Sequence, residues 1–187
     1  MIPLRSVTKI APVCLPDRLS RTPCFTDVSN PYVAKIFKHA GYPLDMRICV
    51  RGLSYSDILS EAGVFEYLDF SGISESEFSR EVSFTIQRDS VMDGFLVWLT
   101  LQTAEGEEID ILRHEHCWLP VFFPVFHPGI EVSEGDTVHA VCHGSVSDNG
   151  VNPDYRIRGR LVRKNGHIEN FEHESWHHRE VFRQNPF

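Results

Sequence analysis

Residues 114–125, HEHCWLPVFFPV, hold two histidines one residue apart, then a cysteine, a tryptophan and an apolar run with two prolines. On a strand, alternate side chains share a face, so His114 and His116 would point the same way, as would His139 and His143. Two such strands side by side could offer three imidazoles to one metal ion. These four histidines are therefore candidate metal ligands.

This spacing is similar to that of cupins, all-β barrels in which the HxH pair is followed after three or four residues by a metal-binding glutamate. Those positions hold Pro120 and Val121 here, and the nearest following carboxylate is Glu131. The set lacks one ligand, so a cupin-like metal-binding barrel enzyme is kept as an alternative, beside ordinary surface or packing histidines.

Cys117 lies beside His116, which raises the possibility of a Cys–His nucleophile. Neighbours in a strand point to opposite faces, so this adjacency counts against a direct hydrogen bond and favours a small buried thiol. Pro120 and Pro124 cannot donate ladder hydrogen bonds, so the segment after the cysteine is predicted to be an edge or bulged strand.

The elements that must position these residues are mostly strands. A first strand is predicted within residues 5–15, a short helix over 30–41 with Asn30 as N-cap, and another turn or two of helix within 54–65. From residue 65 onward the hydrophobic period is two, which predicts successive strands in FEYLDFSG, SREVSFTIQRD, DGFLVWLTLQT, PVFFPVFHPGIEV, DTVHAVCHGSV, DYRIRGRLVR and GHIENFEHES. The predicted fold is mainly β, an antiparallel β-barrel or sandwich with one or two short helices in the N-terminal third.

Length and charge narrow the function classes. A chain of 187 residues with a net charge of −8 is expected to form one domain and is a poor generic nucleic-acid binder. Its densest basic stretch contains Arg156, Arg158 and Arg160, which on a strand would share one face. We interpret that face as solvated, with a docking surface for an acidic partner as the alternative.

Five scattered cysteines indicate free thiols in a reducing compartment. No apolar run reaches the roughly 20 residues of a membrane span, and the N-terminus lacks the pattern of a signal peptide. The expected location is therefore the cytoplasm, without membrane contact.

Three segments, in this order, resemble the protein arginine methyltransferases. MIPLRSVTKIAPVCLPD resembles the junction at which that family passes from its adenosylmethionine-binding domain to its C-terminal β-barrel. Residues 69–103 resemble the middle of the barrel, including the element Asp93–Leu99. Residues 116–138 resemble the Thr-His-Trp loop and the strand pair after it, ending in a V-x-x-G-D turn over Val132–Asp136. The resemblance covers about residues 1–160.

The resemblance implies that this chain carries the substrate-binding site and that a separate domain binds the cofactor. In the family the loop histidine helps to shape the acceptor pocket. Here His116 stands at the Thr position, Cys117 at the His position, and Trp118 is kept, so these three residues are the predicted substrate-binding residues. A thiol cannot form a charged donor as an imidazolium does, which puts arginine as the acceptor in doubt.

Residues 1–187 are accordingly expected to be a single β-barrel domain that lacks the S-adenosylmethionine-binding domain and is inactive alone. That domain would be supplied in cis or in trans, and would bind the cofactor. Apolar residues in the N-terminal third, Ile36, Phe37, Tyr42 and Leu44, suggest a partner surface or a homo-oligomer. A non-catalytic binding module is the remaining alternative.

Overall fold

The structure is a computed structural model that describes residues 2–17, 19, 27–40, 48–73, 75–104, 106–114, 117–126, 128–146 and 153–174. Within these ranges it contains one helix, α1 (Asn30–Ala40), and twelve strands. The strands are β1 (Arg5–Val13), β2 (Ile48–Cys49), β3 (Gly63–Asp69), β4 (Phe78–Thr85), β5 (Ser90–Met92), β6 (Gly94–Ala104), β7 (Glu107–Asp110), β8 (Val121–Pro124), β9 (Ile130–Val132), β10 (Thr137–Val146), β11 (Pro153–Val162) and β12 (Ile168–Glu174).

The strands form two main sheets. In the first sheet the order is β2-β8-β6-β1-β3, and β7 also pairs with β6. The second sheet has the order β12-β11-β10-β4, and β5 and β9 form a separate pair. Every strand pairing is antiparallel. This confirms the predicted mainly-β antiparallel fold in its sandwich form, since the described strands do not close into one barrel.

The core lies between the two sheets because their strands alternate. In β10, Val138, Ala140 and Cys142 are buried, whereas the intervening residues are partly exposed. These side chains meet Phe95 of β6 and Phe123 of β8 from the first sheet in one hydrophobic cluster. At Gly94 a side chain would place its Cβ 2.2 Å from the carbonyl oxygen of Phe123, so glycine is needed where β6 and β8 approach.

A second hydrophobic layer covers the opposite face of the first sheet. Trp98, Leu96 and Val13 turn their side chains away from the main core and pack against two segments outside the sheet, residues 50–58 and residues 111–112. The first sheet is therefore buried on both faces over this area. Residues 111 and 112 begin the segment that carries the predicted site.

The predictions for the N-terminal third need three corrections. Residues 54–65 form no second helix: Ser54 N donates to Asp57 Oδ2 at 2.8 Å in a local turn, and Ile58 bridges to Val13. Residue 63 begins β3 instead of ending a helix. In α1 the Ser29 carbonyl accepts the Val33 N–H at 3.1 Å, so Ser29 is the N-cap and Asn30 is already helical.

Among the side chains of helix α1 that the structure describes, none belongs to either hydrophobic cluster. Tyr32 is 69% exposed and Ile36 is 51% exposed, and together with Lys35 and His39 they line a shallow, mainly apolar surface. Of the residues predicted for a partner surface, Ile36 is thus exposed. Tyr42 and Leu44 lie outside the described residues, as does the side chain of Phe37.

Candidate functional site

The predicted substrate-binding residues lie in the segment between β7 and β8, residues 111–120, which we call the Cys–Trp loop. Cys117 is exposed and Trp118 is 49% exposed. His116 and its neighbour Glu115 lie outside the described residues. The structure therefore presents a thiol and an indole at the surface of the first sheet, on the side of the second hydrophobic layer.

The start of the Cys–Trp loop is fixed by Asp110, the last residue of β7. Its Oδ1 accepts the Leu112 N–H at 3.0 Å, and its carbonyl accepts the Arg113 N–H at 3.1 Å. Ile111 and Leu112 are buried in the second hydrophobic layer. The first turn of the loop is therefore held by one hydrogen bond to the Asp110 carboxylate, one to the Asp110 backbone carbonyl, and two apolar anchors.

Asp110 is itself buried, at 2% relative exposure, and the surrounding strands supply its partners. The Tyr55 hydroxyl donates to Asp110 Oδ2 at 2.6 Å, and Lys9 Nζ donates to the same oxygen at 3.3 Å. Trp98 meets the Tyr55 ring edge-on at 5.8 Å, and the Arg113 guanidinium lies over that ring at 5.7 Å. We call these five residues the Asp110 cluster.

Electrostatics in the cluster follow from burial and hydrogen bonding. Burial alone would raise the pKa of Asp110, but hydrogen bonds from Tyr55 and from the Leu112 N–H, together with the charge of Lys9, outweigh it and the net pKa is lowered. Burial raises the pKa of Tyr55, and the hydrogen bond to Asp110 and its negative charge raise it further. Asp110 is therefore an ionised anchor and Tyr55 a neutral donor.

The far end of the Cys–Trp loop is fixed by a backbone bond and by a strand. Val50 N donates to the buried Pro120 carbonyl at 2.9 Å. Residues 121–124 then pair with β6, with Pro124 opposite Gly94, whereas β2 pairs with β8 at only two positions. Pro124 thus lies beyond the β2 ladder, where its missing N–H leaves no bond unmade. Both ends of the loop are anchored, and of its middle residues Arg113, His114, Cys117 and Trp118 are exposed.

The three described histidines among the candidate metal ligands, His114, His139 and His143, lie on different sides of the domain. His139 and His143 belong to the outer face of β10, away from the main core, and His139 Nδ1 lies 2.9 Å from Ser83 Oγ. His114 is exposed in the Cys–Trp loop, beyond the first sheet. In the part of the chain that the structure describes, no three His, Cys, Asp or Glu side chains are grouped so that they could hold a metal ion.

Sequence reasoning did not identify the Asp110 cluster. One signal was available: Asp110 lies between two isoleucines, so a strand there would bury a carboxylate in need of partners. The partners could not be found from spacing, since Tyr55 and Lys9 are 55 and 101 residues away. Burial also disfavours another thiol as a nucleophile, because it raises the pKa of Cys142 to about 12.

The arrangement of sheets and loop defines a class of fold, that of the β domain of protein arginine methyltransferases. The chain is similar to protein arginine methyltransferase 10 of Arabidopsis thaliana, whose crystal structure has an open conformation, with a TM-score of 0.61 and 15% identity. It is also similar to the PRMT1 enzyme–prozyme heterotetrameric complex of Trypanosoma brucei with AdoHcy, with a TM-score of 0.59 and 9% identity. At these identities the likeness establishes the fold alone.

The match covers 92% of this chain but only 59% of the Arabidopsis chain and 57% of the Trypanosoma chain. This chain therefore spans less than three fifths of the length of either protein. No protein-family model matches the sequence, and no curated protein matches it. Among the described residues, no helix combines the length and the apolar character needed to cross a bilayer.

Proposed function

We propose that this chain is the substrate-side β domain of an enzyme that transfers a methyl group from S-adenosylmethionine, and that the Cys–Trp loop shapes the acceptor pocket. One observation carries the proposal: the loop is anchored at both ends, by Asp110 and by the Pro120 carbonyl, while Cys117 and Trp118 between them are exposed. Such anchoring holds an exposed loop in one geometry, as positioning of an acceptor requires.

The cofactor would be bound by a separate domain, supplied in cis or in trans. Adenosylmethionine and dinucleotide sites of the doubly wound type use a glycine-rich turn between a parallel strand and a helix. All the strand pairings described here are antiparallel, so the described residues do not fit this cofactor. In this proposal the chain alone neither binds adenosylmethionine nor transfers a methyl group.

The side chains of the loop suggest how an acceptor is held. Trp118 offers a flat face on which a planar or cationic acceptor can stack. Cys117 occupies the position of the family's loop histidine, and a thiol is a weak, uncharged donor. The pocket would therefore orient the acceptor by shape and stacking and not by a charged hydrogen bond, which favours an acceptor other than arginine.

The exposed face of α1 would be covered in the assembled enzyme. Tyr32 and Ile36 present apolar surface that no core residue in the described part of the chain covers, and Lys35 and His39 border it. The Trypanosoma protein with this fold is described as a heterotetramer. We propose that α1 contacts a second subunit, most simply another copy of this chain.

Two experiments test the proposed function. Titration calorimetry of the chain with adenosylmethionine should show no binding tighter than roughly 100 μM, equivalent to about 5.5 kcal/mol; tighter binding would mean that the cofactor site is in this chain. With the cofactor domain supplied, Trp118→Ala should lower methyl transfer at least about tenfold, because the stacking surface is lost. The matched control is Tyr67→Ala, which changes an exposed aromatic residue of β3 on the same sheet. Equal losses of methyl transfer in both variants would show that the loop has no specific role.

A further inference from the structure

We propose that the outer face of the second sheet is a docking surface for an acidic peptide in extended conformation, and that Arg158 and Arg160 are its recognition residues. This surface does not depend on the methyltransferase role, since it lies across the main core from the Cys–Trp loop. We call it the β11 face.

The β11 face is open and charged. In the part of the chain that the structure describes, no element packs over it, and Arg158 and Arg160 are exposed. Across the sheet, Arg160 is in register with His139 and Asn170, and Arg158 is in register with Val141 and Glu172. These side chains line a concavity of about 500 Å³, which shares Arg158 with a second concavity of about 610 Å³ around Arg156 and His143.

The carboxylates of β12 on this face are already engaged by Arg156. Its Nε lies 2.7 Å from Glu172 Oε1 and its Nη2 lies 2.6 Å from Glu174 Oε1. Glu172, the cross-strand neighbour of Arg158, is therefore held by another arginine. Within the described ranges, Arg158 and Arg160 have neither an ion pair nor a hydrogen bond from their guanidinium groups. Two arginines without an ion pair among the described residues thus remain on this face, in a chain whose net charge is −8.

The polar neighbours of Arg160 add donors. Ser83 Oγ lies 2.9 Å from His139 Nδ1, and in the tautomer in which Nδ1 accepts the hydroxyl hydrogen, Nε2 carries a hydrogen and donates outward. Asn170 contributes a side-chain amide on the other flank. A carboxylate above Arg160 would then meet a guanidinium, an imidazole N–H and an amide N–H.

The spacing selects a peptide. Arg158 and Arg160 are two residues apart on one strand, which separates them by about 6.8 Å along the strand. Alternate carboxylates of an extended peptide have the same repeat. Glu81 and Glu172 flank the arginines on both sides, which disfavours a phosphate polyanion and suits a peptide with isolated acidic side chains.

The test uses three labelled peptides of equal length, measured by fluorescence anisotropy at about 50 mM salt, where screening is weak. The first alternates threonine and glutamate, the second has the same composition with its glutamates adjacent, and the third alternates threonine and lysine. We expect the first to bind and the third not to bind, with the second at least about threefold weaker because fewer charge-assisted bonds form together. Amide shifts in an NMR titration should map to β4, β10, β11 and β12.

Variants separate recognition from general charge. Arg158→Gln and Arg160→Gln should each weaken binding of the alternating peptide at least about fivefold, and the double variant should abolish it. Lys164→Gln, the same change of charge on an exposed turn residue, should leave affinity within about twofold. Equal loss in the Lys164 variant, equal binding of the two acidic peptides, shifts outside β4 and β10–β12, or tighter binding of a single-stranded RNA oligonucleotide would each overturn the proposal.

Discussion

The two outer faces of this domain differ in the surroundings of their charged side chains. The outer face of the first sheet is covered by residues 50–58 and 111–112, and the buried carboxylate of Asp110 there is surrounded by donors. The β11 face has no described element over it and leaves Arg158 and Arg160 in solvent. A covered charge must be satisfied within the chain and so fixes local geometry, whereas an open charge stays available to a partner.

The variant with the largest expected effect on stability is Asp110→Ala, which changes the covered face. It leaves Lys9 and Tyr55 without their shared acceptor and frees the first turn of the Cys–Trp loop, so we expect a loss of about 3 kcal/mol in the free energy of unfolding. Urea denaturation measures it. The control is Glu108→Ala, since Glu108 is an exposed partner of Lys9 at 3.7 Å and should cost no more than about 0.5 kcal/mol. A loss below about 1 kcal/mol for Asp110→Ala would mean that the covered face does not depend on this carboxylate.

Tyr55→Phe removes one donor and keeps the ring. We expect a loss of about 1–2 kcal/mol, because a hydrogen bond to a buried charged group is broken while the contact with Trp98 remains. Denaturation of Tyr67→Phe, which alters an exposed hydroxyl of β3, should give no measurable change. Equal stabilities for both variants would show that the Tyr55 hydroxyl contributes nothing.

The dependence of stability on pH tests the role of Asp110 on the covered face in a second way. Because the folded-state pKa of Asp110 is lowered from 3.8, its contribution to stability is present above 3.8 and is lost as the pH falls through the lower folded value. Thermal melting at a series of pH values should therefore show a steeper loss below pH 3.8 for the native chain than for Asp110→Asn. Parallel curves would contradict the assigned shift.

The smallest effects are expected on the β11 face. Arg158→Gln and Arg160→Gln should each change the free energy of unfolding by less than about 0.5 kcal/mol, since neither guanidinium has an intramolecular partner among the described residues. Arg156→Gln removes two half-exposed ion pairs and should cost about 0.5–1 kcal/mol. If Arg158→Gln costs more than Arg156→Gln, the arginine is structural and the contrast between the faces is lost.

The strands of the second sheet could be predicted because each buries one face. Their alternation is visible in the sequence of β10 and β11, and the structure confirms both within one or two residues. β7 could not be predicted, because Glu107 and Glu108 give it no apolar alternation. It is a strand because it pairs with β6. The predicted helix at 54–65 is wrong because a Ser–Asp turn satisfies the backbone locally and the chain then pairs with Val13.

The residues of the candidate site also differ in whether they could be predicted from the sequence. Cys117 and Trp118 could be selected because the loop motif is contiguous in sequence. The Asp110 cluster could not, because Lys9, Tyr55 and Asp110 are brought together only when β1 and β7 both pair with β6 and residues 50–58 cover the sheet. A motif within one segment can be recognised in a sequence. The residues that hold it in place cannot, because they come from segments that are distant in the sequence.

The central claim is that the Cys–Trp loop serves substrate and not folding, and one comparison tests it most directly. Cys117→Ser and His116→Ala should shift the stability of the β domain by less than about 1 kcal/mol in thermal melting. Each should lower methyl transfer at least about tenfold once the cofactor domain is supplied. His167→Ala, which alters an exposed imidazole in the turn between β11 and β12, should leave both quantities unchanged. Unchanged turnover in Cys117→Ser and in His116→Ala would contradict the account and make the loop structural.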